Sequence, residues 1–251
     1  MHDSLVDDAG MPAIVSAAIE ALPRPILVTD YETMLYVNAC GRELLGADST
    51  AEIYDRPIQE LVHPDAHEAM FERRPLVLNS RQSVRGIPMK LRGIDGRVVT
   101  PRGDVVPVEF GGRMRALVLL DVAVPHRACS VEADGGCDVK DGVALFEHLP
   151  LCMLIHDNNR ILAANASSRQ FLGMTSADQI VGRPIGSIVH PDGREAGESR
   201  RKLAAEFGIR RFLGVPVKLQ RRDGSDVRLE VDAMTLTVGD RRVLLVTPSA
   251  L

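Results

Sequence analysis

The feature that most constrains this chain is that it repeats itself. "HPD" occurs as His63-Pro64-Asp65 and again as His190-Pro191-Asp192, 127 residues later. The same offset carries Leu22-Pro23 onto Leu149-Pro150, Asp30 onto Asp157, and Asn38-Ala39 onto Asn165-Ala166. It also carries Leu45-Gly46 onto Leu172-Gly173 and Arg56-Pro57-Ile58 onto Arg183-Pro184-Ile185. "GIPMKLRGIDG" from Gly86 then meets "GVPVKLQRRDG" from Gly214 at an offset of 128, one residue of loop slippage. A period above 100 excludes a solenoid, whose repeats run roughly 20–50 residues. The economical reading is two homologous domains, bounded at 23–123 and 143–251, with an N-terminal segment 1–22 and a linker 124–142.

The 251 residues carry a net charge of −4, which offers no general positive field for a nucleic-acid backbone. The acidic opening "MHDSLVDDAG" lacks the basic-then-apolar order of a signal peptide. The longest apolar run, Ala116 to Leu120, is far short of the roughly 20 residues that span a bilayer. Four cysteines make no disulfide framework in a chain of this length. The expectation is a cytoplasmic protein with free thiols and no membrane or nucleic-acid partner.

Each copy reads in the same order. Apolar runs at 26–29 and 34–37, and at 153–156 and 161–164, are split by short polar turns and read as hairpins. Helical patches follow at 40–45 and 167–172, each preceded by an asparagine suited to capping free amides. A longer helix follows each HPD, over 65–74 and 192–207, the second placing Leu203 and Phe207 on one face. Strands close each copy: Val227 to Val231 alternates strictly, and Leu117–Leu120 and Val243–Val246 are apolar runs suited to central strands. The fold class is therefore α+β, with an antiparallel sheet and helices on one face.

These residues resemble the PAS domain, the sensory module of bacterial signalling proteins. The resemblance is carried by Asp30 and Asp157 before a turn and by the Asn-Ala that ends the second strand. The Arg-Pro-Ile segment, the Val-His-Pro-Asp helix start and the turns Asp95-Gly96 and Asp223-Gly224 complete it. It covers about 13–123 and 143–248, and implies two domains, each a five-stranded antiparallel sheet with short helices on one face. In this light HPD starts a helix: proline suits the first position, where its missing N–H costs nothing, and aspartate complements the helix dipole. A catalytic pair is disfavoured, since no Ser or Cys nucleophile recurs at a fixed distance in both copies. No catalytic residue is assigned, and no enzyme activity is expected.

Ligand chemistry is less constrained. The flavin-photoreceptor branch of the family carries a reactive cysteine where this chain has Ile58 and Ile185. Tryptophan is absent, so a flavin ring would find few stacking partners. His67, on the helix after the first HPD, is a candidate haem ligand, with Arg194 in its place in copy two. Haem or FAD thus stands as an alternative to a small organic ligand in an apolar pocket between sheet and helices. The candidate lining is Met153, Ile155, Phe171, Leu172, Phe212, Val217 and Leu229 in copy two, and Leu27, Leu44, Leu45, Met89 and Phe110 in copy one. A third alternative is a ligand-free interaction scaffold. His126, Cys129 and Cys137 in the linker lack the spacing of a zinc site, and no metal is expected.

Three expectations concern signal output. Ile14, Ala18 and Leu22, with Val15 and Ile19 beside them, make an amphipathic N-terminal helix, so a homodimer through that helix or the sheet faces is expected. The match after residue 96 resumes at Glu109 and Glu230, offset 121, as though copy one had about seven extra residues. Gly93 to Arg102 would then be a lengthened, partner-contacting flap. No Gly-rich nucleotide loop, phosphoacceptor helix or helix-turn-helix follows the last strand. The chain is read as relaying a signal to a kinase, cyclase or transcription regulator, as a separate partner or a fused domain.

Overall fold

The computed structural model describes residues 10–122, 139–207 and 210–249. It divides into two compact units, one spanning 16–145 and the other built on 146–251. The linker candidates His126, Cys129 and Cys137 lie outside the described residues, as do the side chains of Leu203 and Phe207. No described helix is long and apolar enough to cross a membrane.

Domain one follows helix α1 (Met11–Glu20) with the hairpin β1 (Ile26–Thr29) and β2 (Met34–Val37), then α2 (Ala39–Leu45), the short α3 (Ile58–Leu61) and α4 (His67–Leu78). It closes with β3 (Val84–Pro88), β4 (Leu91–Arg92), β5 (Val98–Val99), β6 (Arg102–Phe110) and β7 (Arg113–Asp121). Domain two repeats the plan with α5 (Val139–His148), β8 (Leu154–His156), β9 (Ile161–Ala164), α6 (Ala166–Phe171) and α7 (Pro191–Phe207). Its closing strands are β10 (Arg211–Gln220), β11 (Asp226–Val238) and β12 (Arg241–Pro248). Each domain holds one five-stranded antiparallel sheet, in the order β2-β1-β7-β6-β3 or its counterpart β9-β8-β12-β11-β10. The apolar runs expected to be central, β7 and β12, are the middle strands.

The strand register corrects the flap. Val105 pairs with Val118 and Phe110 with Arg113, as Ala233 pairs with Val246 and Val238 with Arg241. Leu91 pairs with Val99 as Leu219 pairs with Val227. Every one of these pairs keeps the 128 offset, so copy one has no extra residues and Gly93–Arg102 is no lengthened turn. The β4–β5 pair is the far end of the hairpin that copy two builds unbroken. Copy one interrupts it at Pro101, which cannot donate to the ladder and stands where copy two has Leu229. The similarity of "PVEF" to "RLEV" misplaced the gap, since alternating strands resemble one another at many shifts. At the hairpin tip Gly96 and Gly224 have φ of +79° and +83°, which is why both turns read Asp-Gly.

One side chain ties each domain together. Asn38 is fully buried. Its Oδ1 accepts the N–H of Ile26 and of Gly41, both at 2.9 Å, so it joins β1 to the start of α2. Its Nδ2 donates to the Arg24 carbonyl at 2.9 Å and to Ile19 at 3.3 Å, holding the chain that leaves α1. Asn165 repeats the arrangement: Oδ1 accepts from Met153 and Ser168 at 3.0 Å, and Nδ2 donates to Leu151 at 2.7 Å and Leu149 at 3.3 Å. A charge clamp runs alongside, from Arg42 to Glu20 at 2.5 Å and from Arg169 to Glu147. Ala18, Ile19 and Leu22 are buried within the chain, so this part of the N-terminal stripe is not left free for a second subunit.

Removing this amide leaves several buried N–H and C=O groups without partners, at about 1–3 kcal/mol each. Asn165→Ala is expected to lower the unfolding free energy by roughly 3 kcal/mol or more. Urea denaturation followed by circular dichroism checks it.

Candidate ligand pocket

The two HPD segments perform a local structural task. His63 Nδ1 accepts the N–H of Asp65 at 3.3 Å, and His190 Nδ1 accepts that of Asp192 at 3.2 Å, with proline at the first helical position in each. The aspartates hold a lysine, Lys90 between β3 and β4 in copy one and Lys218 on β10 in copy two. Lys90 reaches Asp65 at 2.5 Å, while Lys218 lies 3.6 Å from Asp192 and 3.0 Å from Asp226. Among the described residues no cluster of three or more His, Cys, Asp or Glu is placed to hold a metal ion.

The chemistry of recognition lies beneath these helices. In domain two a cavity of about 230 Å³ opens between α7 and the inner face of the sheet. Its floor is Leu154 and His156 of β8, Val217 and Leu219 of β10, Leu229, Val231 and Ala233 of β11, and Leu244 and Val246 of β12. Phe171 and Leu172 close one end, and Gly193, Ala196, Gly197 and Arg200 form the roof. Those four are spaced by three, one and three residues, so a single face of α7 looks down into the cavity. In domain one the corresponding cavity is only about 70 Å³.

The difference is written in aligned pairs of residues. Met70 stands where copy two has Gly197, Met89 where it has Val217, and Val105 where it has Ala233. Tyr31 stands where copy two has Asn158, at a turn with φ near +70° in both. Asparagine tolerates that left-handed backbone far better than tyrosine. Tyr31 is nonetheless buried there, filling space, and burial pushes its phenol up to about 12, with the Arg73 charge opposing. Flexible methionines and a buried ring thus occupy in copy one the volume that glycine and alanine leave open in copy two.

Of the residues expected to line the copy-two pocket, Phe171, Leu172, Phe212, Val217 and Leu229 do so. Met153 and Ile155 do not. Strand alternation turns Leu154 and His156 toward the cavity, leaving Ile155 and its even-spaced neighbour Met153 for the opposite face, where both are fully buried. In copy one Leu27 and Met89 line the small cavity, whereas Leu44 and Leu45 are general core and Phe110 sits by the β6–β7 turn, 6.4 Å from the ring of Tyr36. The misplaced gap had aligned Phe110 with the pocket residue Val231; the register gives Gly103 that place. The α7 roof and His156 escaped the sequence reading. A Gly-Ala-Gly-Arg series at helical spacing was the available clue.

His67 is not in the cavity. Its Nε2 lies 2.9 Å from the Val62 carbonyl and 3.1 Å from that of Gln59, and Arg194 takes the same place by donating to the Val189 carbonyl at 3.2 Å. Arginine can replace histidine because the task is holding a loop carbonyl. With about 70 Å³ and its histidine so engaged, domain one does not fit haem. Domain two, at about 230 Å³, falls below the roughly 300–1,000 Å³ that enclose drug-sized ligands, so FAD does not fit either. Three of the polar groups that line its cavity are engaged elsewhere. His156 Nδ1 accepts from the Asn158 N–H at 3.1 Å, Ser168 Oγ donates to the Met153 carbonyl at 2.8 Å, and burial pushes the Cys152 thiol up, with a hydrogen bond to Ser168 opposing.

Two family models match this chain, one in each domain. The family model described as the PAS fold matches residues 13–121, and that described as a PAS domain matches 150–247. Similar solved structures include the PAS domain of an HTR-like protein from Haloarcula marismortui (22% identity, 43% of this chain and 87% of that one, TM-score 0.36). A domain of a sensory box sensor histidine kinase/response regulator from Geobacter sulfurreducens is 24% identical over 42% of this chain and 88% of its own, with TM-score 0.34. The PAS domain of nitrogen regulation protein NR(II) from Vibrio parahaemolyticus is 22% identical over 42% and 94%, with TM-score 0.35. No curated protein matches.

The unequal cavities predict unequal responses to substitution. Met70→Ala in the filled copy is expected to cost about 2–5 kcal/mol. Gly197→Met in the hollow copy should be neutral or stabilising, since it also removes a helix glycine worth about 1 kcal/mol. Parallel urea titrations of the two variants make the comparison.

Proposed function

This chain belongs to the PAS family, with two PAS domains in tandem, and from that premise we propose that it is a sensory signalling protein whose second domain binds a small, mainly apolar ligand. One observation carries the reading: two copies of one fold differ about threefold in cavity volume, and the difference comes from small side chains on the inner faces of α7 and the sheet. A core holding that much empty apolar volume gives up dispersion contacts that copy one retains. A ligand restores them. Because the cavity is roofed by one helix, occupation bears on the packing of α7 against the sheet. It shifts a conformational equilibrium to the extent that it binds one state better than the other.

In this reading domain one is the rigid, ligand-free partner and domain two the sensor. The protein has no catalytic role, acts in the cytoplasm, and hands its conformational change to a kinase, cyclase or transcription regulator. Self-association, which accompanies such a role, uses the sheet faces, since α1 spends much of its apolar stripe inside the chain. The filled core of domain one favours the interaction-scaffold reading for that domain alone.

Native mass spectrometry of the full chain is expected to find a bound small molecule, one per chain. The added mass should disappear in Gly197→Met while persisting in Met70→Ala. An adduct indifferent to Gly197→Met, or none at all together with no ligand-dependent rise in melting temperature, contradicts the proposal.

A further inference from the structure

Building on the reading of domain two as the sensor, we propose that its ligand is an amphipathic monocarboxylate, its tail in the cavity and its carboxylate on Arg200. The argument begins with charge. No aspartate or glutamate lines the cavity, whereas Arg200, Lys218 and His156 all do. Lys218 contributes only its aliphatic stem, because its Nζ is held by Asp226 at 3.0 Å and lies 3.0 Å from His190 Nε2. His156 has its Nδ1 occupied by the Asn158 N–H.

Arg200 differs from both. It sits half-buried at the end of the roof stripe, one helical turn beyond Ala196 and Gly197, and among the described residues it has neither an ion pair nor a hydrogen bond. A partly desolvated guanidinium beside an apolar wall is unfavourable until an anion meets it. Its planar fork matches a carboxylate through two parallel hydrogen bonds. With Lys218 neutralised by its own carboxylates, one positive charge remains, which suits a singly charged head over a phosphate. Copy one keeps an arginine at this place, Arg73, but Tyr31, Met70 and Met89 leave no comparable room for a tail. The arginine and the volume coincide in copy two.

The volume sets the ligand's size. An apolar cavity of about 150 Å³ holds benzene, so about 230 Å³ accommodates roughly nine heavy atoms. Medium-chain fatty acids and monocyclic aromatic acids are of this size. Only the head need meet Arg200 at the rim.

Isothermal titration of the full chain with octanoate and with 1-octanol, on wild type and Arg200→Gln, tests the assignment. Octanoate is expected to bind wild type at least tenfold more tightly than octanol. Arg200→Gln should erase that preference while leaving octanol affinity within about twofold. Equal binding of the two probes by wild type, or a preference that survives Arg200→Gln, overturns the carboxylate assignment and leaves the sensor reading of domain two standing. Should neither probe bind wild type or change its melting temperature, the sensor reading falls with it. Gly197→Met serves as the control, since a filled cavity must abolish binding of both.

Discussion

The buried amide of Asn38, and of Asn165 in the second copy, is the interaction on which each domain depends. Four separate segments meet at that residue: the exit of the preceding helix, the first strand, the end of the second strand and the start of the next helix. A buried polar group of this kind is stabilising only when all its partners are present. It therefore acts as a registration device: a shift of β1 by one residue, or of α2 by a fraction of a turn, strands several donors and acceptors at once. The Arg42–Glu20 and Arg169–Glu147 clamps reinforce it from the side and bind the preceding helix to the domain. In PAS terms, the helix that enters the domain is coupled directly to the sheet that forms the pocket floor.

With the frame fixed in this way, the inner surface is free to vary. The two copies share strand order, register, hairpin turn and HPD helix start, yet one interior is filled and the other hollow. A few aligned pairs account for this, chiefly Met70 against Gly197, Met89 against Val217 and Val105 against Ala233. None of them touches the asparagine tether. Duplication gives one copy that keeps the packed core and another that can trade packing for a binding volume, and fold and ligand chemistry are decided by different residues.

Much of this was legible in the sequence. The 127-residue repeat, the Asn-Ala cap, the Asp-Gly turn and the HPD helix start are local signals, and each lies where expected. What failed was whatever required knowing which way a side chain faces. Apolar character and position place Met153 and Ile155 in the pocket, but a strand shows alternate residues to opposite faces. Phe110 was placed by an alignment gap inside an alternating strand, where sequence similarity is nearly blind to register. Residue type alone makes His67 a ligand candidate, whereas its ring holds a loop carbonyl. The features on which the proposed recognition rests, the small-residue stripe of α7 and an Arg200 without a partner among the described residues, are conspicuous only once the helix is laid on the sheet.

The claim that one copy is hollow and its twin filled is tested most directly with an inert apolar probe that needs no knowledge of the ligand. Methyl NMR spectra of the full chain under xenon pressure are predicted to show large saturable shifts at Leu229, Val231 and Leu244, with little change at Leu27, Val105 and Val118. Comparable shifts in both domains, or none in the second, would contradict the account.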